Sequence, residues 1–245
     1  MSGALLVFLY ATLTALATGL GALPFAFLRE VSPRFVAYAG AVAAGLMLGA
    51  SFGLLAEGTA YGRGATLIGG LLGVGFILVT QRFLGGHETG ELAFEAARGE
   101  GARKMLLVLV VMTVHSFAEG VAVGVSFGGG ATLAAVITIA IAIHNVPEGV
   151  AISAVMRPRG VSVARCAGWS VFSSLPQPLM AVPAFLFVET FRVALPYGLG
   201  FAAGAMVYMV LVELLPEAYR FGERAQVATL ATASTIGMVL FQRWL

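Results

Sequence analysis

Long apolar stretches separated by short polar breaks set the pattern of this chain. Eight stretches, at about 4–28, 36–56, 65–84, 104–127, 131–156, 161–188, 194–217 and 225–244, approach or exceed the ~18–20 residues that span a bilayer as a helix. The breaks carry turn chemistry: Ser32-Pro33, the polar run GGHETGELAFEAARGEGAR (85–103), FGGGA (127–131), RPRG (157–160) and RFGER (220–224). The pattern predicts an all-α polytopic membrane protein, a single transmembrane domain over 1–245 with eight transmembrane helices. The first stretch lacks a basic leader and reads as a retained span.

Composition agrees. Only 11% of residues are charged and 59% are hydrophobic, against roughly 25% charged in a soluble domain. The single cysteine, Cys166, excludes an intrachain disulfide framework. Charge placement says more than the formal +2. Alternate loops put Arg29, Arg34, Arg82, Arg98, Arg103, Lys104, Arg157, Arg159, Arg165, Arg220 and Arg224 on one side, and only Arg63, Arg192 and Arg243 on the other. The basic-rich side should be cytoplasmic. Both termini then lie outside a cell (inner) membrane, with 85–103 as a cytoplasmic loop. Gly45, Gly49 and Gly53, and likewise Gly200 and Gly204, lie four apart, a spacing for close helix packing.

The fourth and fifth stretches share a motif. VHSFAEGVAVGVSF (114–127) and IHNVPEGVAISAVM (143–156) both read H-x-x-x-E-G-V-A. Each places a His and a Glu one helical turn apart on one face, His115 with Glu119 and His144 with Glu148. A short turn between the helices makes them antiparallel, so the two copies form an inverted repeat, as in transporters with a midplane site. A charge at mid-bilayer costs roughly 2.5–3.5 kcal/mol on insertion scales. Two converging carboxylates therefore need protons or a cation. With two imidazoles they suit Zn²⁺, and also Fe²⁺ or Mn²⁺. Pro147 cannot donate to the Ile143 carbonyl, so a kink is expected there.

HSFAEG (115–120) and HNVPEG (144–149) resemble the paired signature segments of the ZIP (Zrt-/Irt-like protein) family of divalent metal transporters, bacterial type. GAVAAGLMLGASFGLLAEG (40–58), SSLPQPLMA (173–181) and GFAAGAMVYMVLVELLPEA (200–218) are similar to that family's second, sixth and seventh spans. The resemblance implies metal movement into the cytoplasm, with Zn²⁺, Fe²⁺, Mn²⁺ or Cd²⁺ as cargo. It implies a primary site of His115, Glu119, His144 and Glu148, and a second site drawing on Ser116, Asn145 and Gln177. Many bacterial relatives carry Asn at the position of Ser116 and Glu at that of Gln177. Those neutral replacements lead us to expect one tightly held metal and a weak or lost second site.

Other polar residues in the spans are lesser candidates. Met47 and Ser51 lie one turn apart in the second span, either as packing residues or with Met47 as a soft auxiliary ligand. Glu213 and Glu217 read as interfacial helix ends or as part of a cytoplasmic transport path. Glu57 could collect cations outside, and His87 could accept metal in the 85–103 loop.

The resulting expectation is transport of a divalent metal by alternating access, with the metal between the fourth and fifth spans. The partners are the metal ion and the lipid bilayer, no organic cofactor and no nucleic acid are expected, and a homodimer is open. G-x-x-x-x-G-K-[ST] does not occur, which speaks against ATP-driven transport. The alternatives are a membrane-embedded zinc hydrolase, although H-E-x-x-H is absent, and a passive metal or proton channel.

Overall fold

The computed structural model describes residues 2–28, 32–83 and 102–244. These residues are almost wholly helical, and no strand occurs among them. In chain order the helices are α1 (Gly3–Leu20), α2 (Pro24–Phe27), α3 (Pro33–Phe83), α4 (Ala102–Gly128), α5 (Ala131–Met156), α6 (Val163–Ser173), α7 (Pro176–Thr190), α8 (Leu195–Met209), α9 (Leu215–Phe221) and α10 (Arg224–Trp244). His87, and Glu88, Glu91 and Arg98 of the expected cytoplasmic loop, lie outside the described residues.

Local sequence explains the boundaries. Ser2, Ser32 and Ser162 cap α1, α3 and α6, each hydroxyl accepting from a backbone N–H three residues on, at 3.4, 3.1 and 3.4 Å. As one straight rod the 51 residues of α3 would run about 77 Å at 1.5 Å per residue. Extended backbone at Gly62 (φ 170°, ψ 105°) divides it into limbs 33–61 and 63–83. Gly130, at φ 114°, takes a conformation that side chains resist and closes the two-residue turn between α4 and α5. The sixth expected span is interrupted within the membrane-length segment. Pro176 and Pro178 end helical hydrogen bonding, and a turn at Ser174–Leu175 separates α6 from α7. The seventh is interrupted too. Pro216 offers no N–H to Val212, and the chain passes through a π-helical turn, Val210–Leu214, before α9. At Pro147, by contrast, α5 continues without a break.

Six helical segments of the described residues are long and apolar enough to cross a membrane: Gly3–Phe27, Pro33–Arg82, Ala131–Arg159, Val163–Thr190, Arg192–Phe221 and Arg224–Trp244. The second, of 50 residues, contains the break at Gly62. Outward-facing Leu13, Phe27, Leu67, Leu71, Leu179 and Phe187 are more than half exposed, as lipid-facing side chains are.

Packing divides the helices into two bundles. α3 holds α8, α9 and α10, while α1, α4, α5, α6 and α7 pack on one another. Backbone-close glycine contacts run within each bundle. A Cβ on Gly69, Gly73, Gly200 or Gly204 would stand 2.1–2.2 Å from a carbonyl oxygen across the α3–α8 contact, and one on Gly45 2.2 Å from the Ala231 oxygen of α10. In the other bundle, Gly124 meets the Ala181 oxygen at 2.2 Å and Gly149 the Thr18 oxygen at 1.8 Å. The glycines expected to pack therefore do so inside one bundle. The seam between bundles, where α5 lies on α3 and α4 on α8, is filled by side chains instead. Phe76 stacks on Phe117 across it, centroids 5.0 Å apart. Gly128 and Gly198 face the Leu195 and Val125 side chains.

Candidate metal centre

α4 and α5 bring the repeated motifs together in the middle of their lengths. Each motif has a glycine directly after its glutamate. A Cβ on Gly120 would lie 2.6 Å from the Gln177 backbone oxygen, so this glycine lets α4 approach the first turn of α7. Gly149 does the same for α5 against α1. The H-x-x-x-E-G pattern thus combines polar groups on one face with a backbone thin enough to seat that face deep in the bundle.

Glu119, His144 and Glu148 converge, each offering an atom within 4.8 Å of the others. His144 Nε2 hydrogen-bonds Glu119 Oε1 at 2.8 Å. Both oxygens of Glu148 are buried without a hydrogen-bond partner. A carboxylate so placed must be neutral or must face a cation. Two carboxylates and an imidazole are a donor set for a borderline divalent ion.

His115 is not part of that convergent group. Its Nε2 lies 3.1 Å from Glu213 Oε2, across the seam in the other bundle. Gln81 Nε2 donates to the second Glu213 oxygen at 2.6 Å. The π-turn carries Glu213 inward, where it is buried, whereas Glu217 follows on α9. Glu213 is therefore a buried partner of His115 and not a solvated helix end.

The expected second-site residues take up a different arrangement. Gln177 Nε2 donates to Glu119 Oε2. Asn145 Nδ2 donates to the Thr14 carbonyl at 2.8 Å and to Gln177 Oε1 at 3.2 Å. The Thr14 hydroxyl donates to Gln177 Oε1 at 2.6 Å. Asn145 Oδ1 and Ser116 Oγ are buried without a hydrogen-bond partner. Met47 and Ser51 are buried in α3, with Met47 in the main apolar cluster and the Ser51 hydroxyl bonded to the Met47 carbonyl at 2.8 Å. Their hydrogen bonding ties them to their own helix and not to the carboxylates. Glu57 is half-buried near the C-terminal end of the first α3 limb. Sequence reasoning passed over Thr14 and Gln81. Thr14 and Thr18, one turn apart in a largely apolar helix, were the available signal, and both are fully buried. Thr18 pairs with Ser174 at 2.8 Å.

The family model described as ZIP Zinc transporter matches residues 86–241, more than half of the chain and both motifs. The chain belongs to the ZIP family. It is 45% identical over 235 residues to a candidate zinc transporter of Arabidopsis thaliana, a match covering 95% of this chain and 38% of that one. It is 31% identical over 240 residues to the zinc transporter GufA of Myxococcus xanthus, covering 93% and 94% of the two chains. The zinc transporter ZIPB of Bordetella bronchiseptica is 35% identical over 240 residues, covering 91% and 74%. The chain thus spans little more than a third of the Arabidopsis relative and nearly all of GufA. ZIP proteins are transporters, so a hydrolase reading of the buried His and Glu residues is not favoured.

Proposed function

We propose that this protein moves a divalent transition metal, zinc first, across a cell membrane into the cytoplasm. The observation that carries the reading is the buried convergence of Glu119, His144 and Glu148, in which neither Glu148 oxygen has a protein partner. A dication there balances two carboxylate charges, so a metal crosses the low-dielectric region as part of a neutral unit. His115 completes the ligand set when it leaves Glu213. Glu213, and then Glu217, continue the path toward the cytoplasm. Ser116 and Asn145 offer only neutral oxygens to a second ion, which binds weakly if at all.

The six apolar segments support a count of eight spans when the break at Gly62 is taken as a reversal and α4 is added. Eight spans and the asymmetry of basic residues support outward termini in an inner membrane. The two bundles support a sliding form of alternating access. Backbone-locked glycine contacts keep each bundle rigid, and the side-chain seam between them can shift.

Reconstitution into liposomes with a fluorescent zinc reporter tests this. Wild-type protein should give saturable zinc uptake, and Glu148→Gln should reduce it at least ~100-fold, in line with loss of a ligand charge in a dry site. Uptake by Glu148→Gln at the wild-type rate would remove the role assigned to this site. Non-saturating flux would favour a channel.

A further inference from the structure

We propose that Thr14 of α1 is a positioning residue, which through Gln177 orients the Glu119 carboxylate and leaves a neutral amide where another cation would otherwise sit. The inference rests on the metal-transport reading and deepens it.

The orientation follows from donors and acceptors alone. The Thr14 backbone carbonyl can only accept, so the Asn145 group 2.8 Å from it must be the amide nitrogen. That nitrogen also lies 3.2 Å from Gln177, which must therefore present its oxygen on that side. The Thr14 hydroxyl, 2.6 Å from the same oxygen, adds a second donor. The hydroxyl proton could instead serve the Ala11 carbonyl at 2.7 Å. The reversed Gln177 amide would then set nitrogen against the Asn145 nitrogen and oxygen against the Glu119 carboxylate, two repulsive contacts. With the oxygen held by α1 and α5, the Gln177 nitrogen faces Glu119 Oε2. His144 holds the other oxygen, Oε1. Glu119 is thereby fixed at both ends by groups from α5 and α7, and α7 is itself registered by Thr14 of α1.

The arrangement also sets charge. Thr14, Asn145 and Gln177 are all fully buried and all neutral. A carboxylate at position 177 would stand beside Glu119, with Glu148 close by, and three acidic groups so placed would draw in a second dication. The amide supplies a hydrogen-bond donor in that place without adding charge, which keeps the site matched to a single ion.

Calorimetric zinc titration of the purified full chain in detergent, for wild type and for Thr14→Val, Thr14→Ser and Gln177→Glu, tests the proposal, with liposome flux measured in parallel. One ion per chain is expected for wild type. Thr14→Val should bind one ion about 10-fold more weakly, the usual scale for losing a group that orients a ligand. Thr14→Ser should restore wild-type affinity, which a purely steric role for Thr14 would not require. Gln177→Glu should bind two ions, and it serves as the readout if Thr14→Val fails to fold. Wild-type affinity in Thr14→Val, or one ion in Gln177→Glu, would overturn the proposal. One bound ion in wild type without flux would defeat the transport reading and leave the positioning role standing.

Discussion

Replacing Gly149 by alanine puts a methyl group where α1 and α5 touch. The new Cβ would stand 1.8 Å from the Thr18 oxygen and 3.2 Å from Gly21 Cα, both backbone atoms of α1 that cannot swing aside. Carbon–oxygen contacts below about 3 Å are not tolerated, so the helices must part by more than ~1 Å. Asn145 is four residues earlier on α5, on the same face, and its 2.8 Å bond to the Thr14 carbonyl would stretch past the limit of a hydrogen bond. Losing that bond and the one to Gln177 leaves buried amide groups unpaired, at about 1–3 kcal/mol each. His144 and Glu148 ride on the same helix and shift relative to Glu119 of α4. A displacement of this size at a preorganised site corresponds to about a 100-fold loss. Gly149→Ala should therefore lower the detergent melting temperature and reduce zinc flux about 100-fold. Gly168, whose added Cβ would meet nothing within 4 Å, gives the control, and Gly168→Ala should behave as wild type. Gly149→Ala with wild-type melting and flux would refute the steric reasoning behind the E-G pair in both motifs.

Gly120→Ala should be a milder version of the same lesion, because its Cβ would stand 2.6 Å from the Gln177 backbone oxygen; flux reduced about 10-fold, between the Gly149 variant and wild type, is the result to look for. Glu213→Gln removes the carboxylate charge that stands 3.1 Å from His115 Nε2, a change on the order of 1 kcal/mol. Freed for the metal, His115 should tighten zinc binding roughly 5-fold while flux falls; unchanged affinity by calorimetry would show that His115 does not exchange partners. Ser51→Ala removes a hydroxyl already bonded inside its own helix at 2.8 Å, and flux should stay within about 2-fold of wild type.

The helical class and the meeting of Glu119, His144 and Glu148 were legible in the sequence because both rest on period, whereas His115 faces Glu213 instead. Apolar stretches of membrane length have few other uses, and a turn-spaced repeat in adjacent helices forces its polar faces together. Three features were not legible, each because it depends on a partner far along the chain. The interruption after Ser173 and the π-turn at 210–214 arise where Pro176 and Pro216 remove donors, yet Pro147 leaves α5 continuous. A proline marks a missing hydrogen bond, and the neighbouring helices decide how the backbone adjusts. The pairing of Gln177 with Thr14 joins residues 163 positions apart, and the turn-spaced Thr14 and Thr18 of α1 mark a polar face without naming its partner.

The two motif copies are alike in sequence but unequal in place, and the inequality bears on direction. His144 faces Glu119 within its own bundle, at 2.8 Å. His115, its counterpart, faces Glu213 of the other bundle, because the π-turn beside Pro216 carries that carboxylate inward. In the sliding proposed above, one imidazole would travel with the site, and the other would be a contact between the two bundles. A symmetric pair of His–Glu motifs would hold a metal equally well from either side. A bridge from His115 to Glu213 gives the metal a competitor for one ligand that depends on how the bundles are juxtaposed. Under that proposal affinity would be coupled to position along the seam, which is the requirement for releasing an ion on one side after binding it on the other.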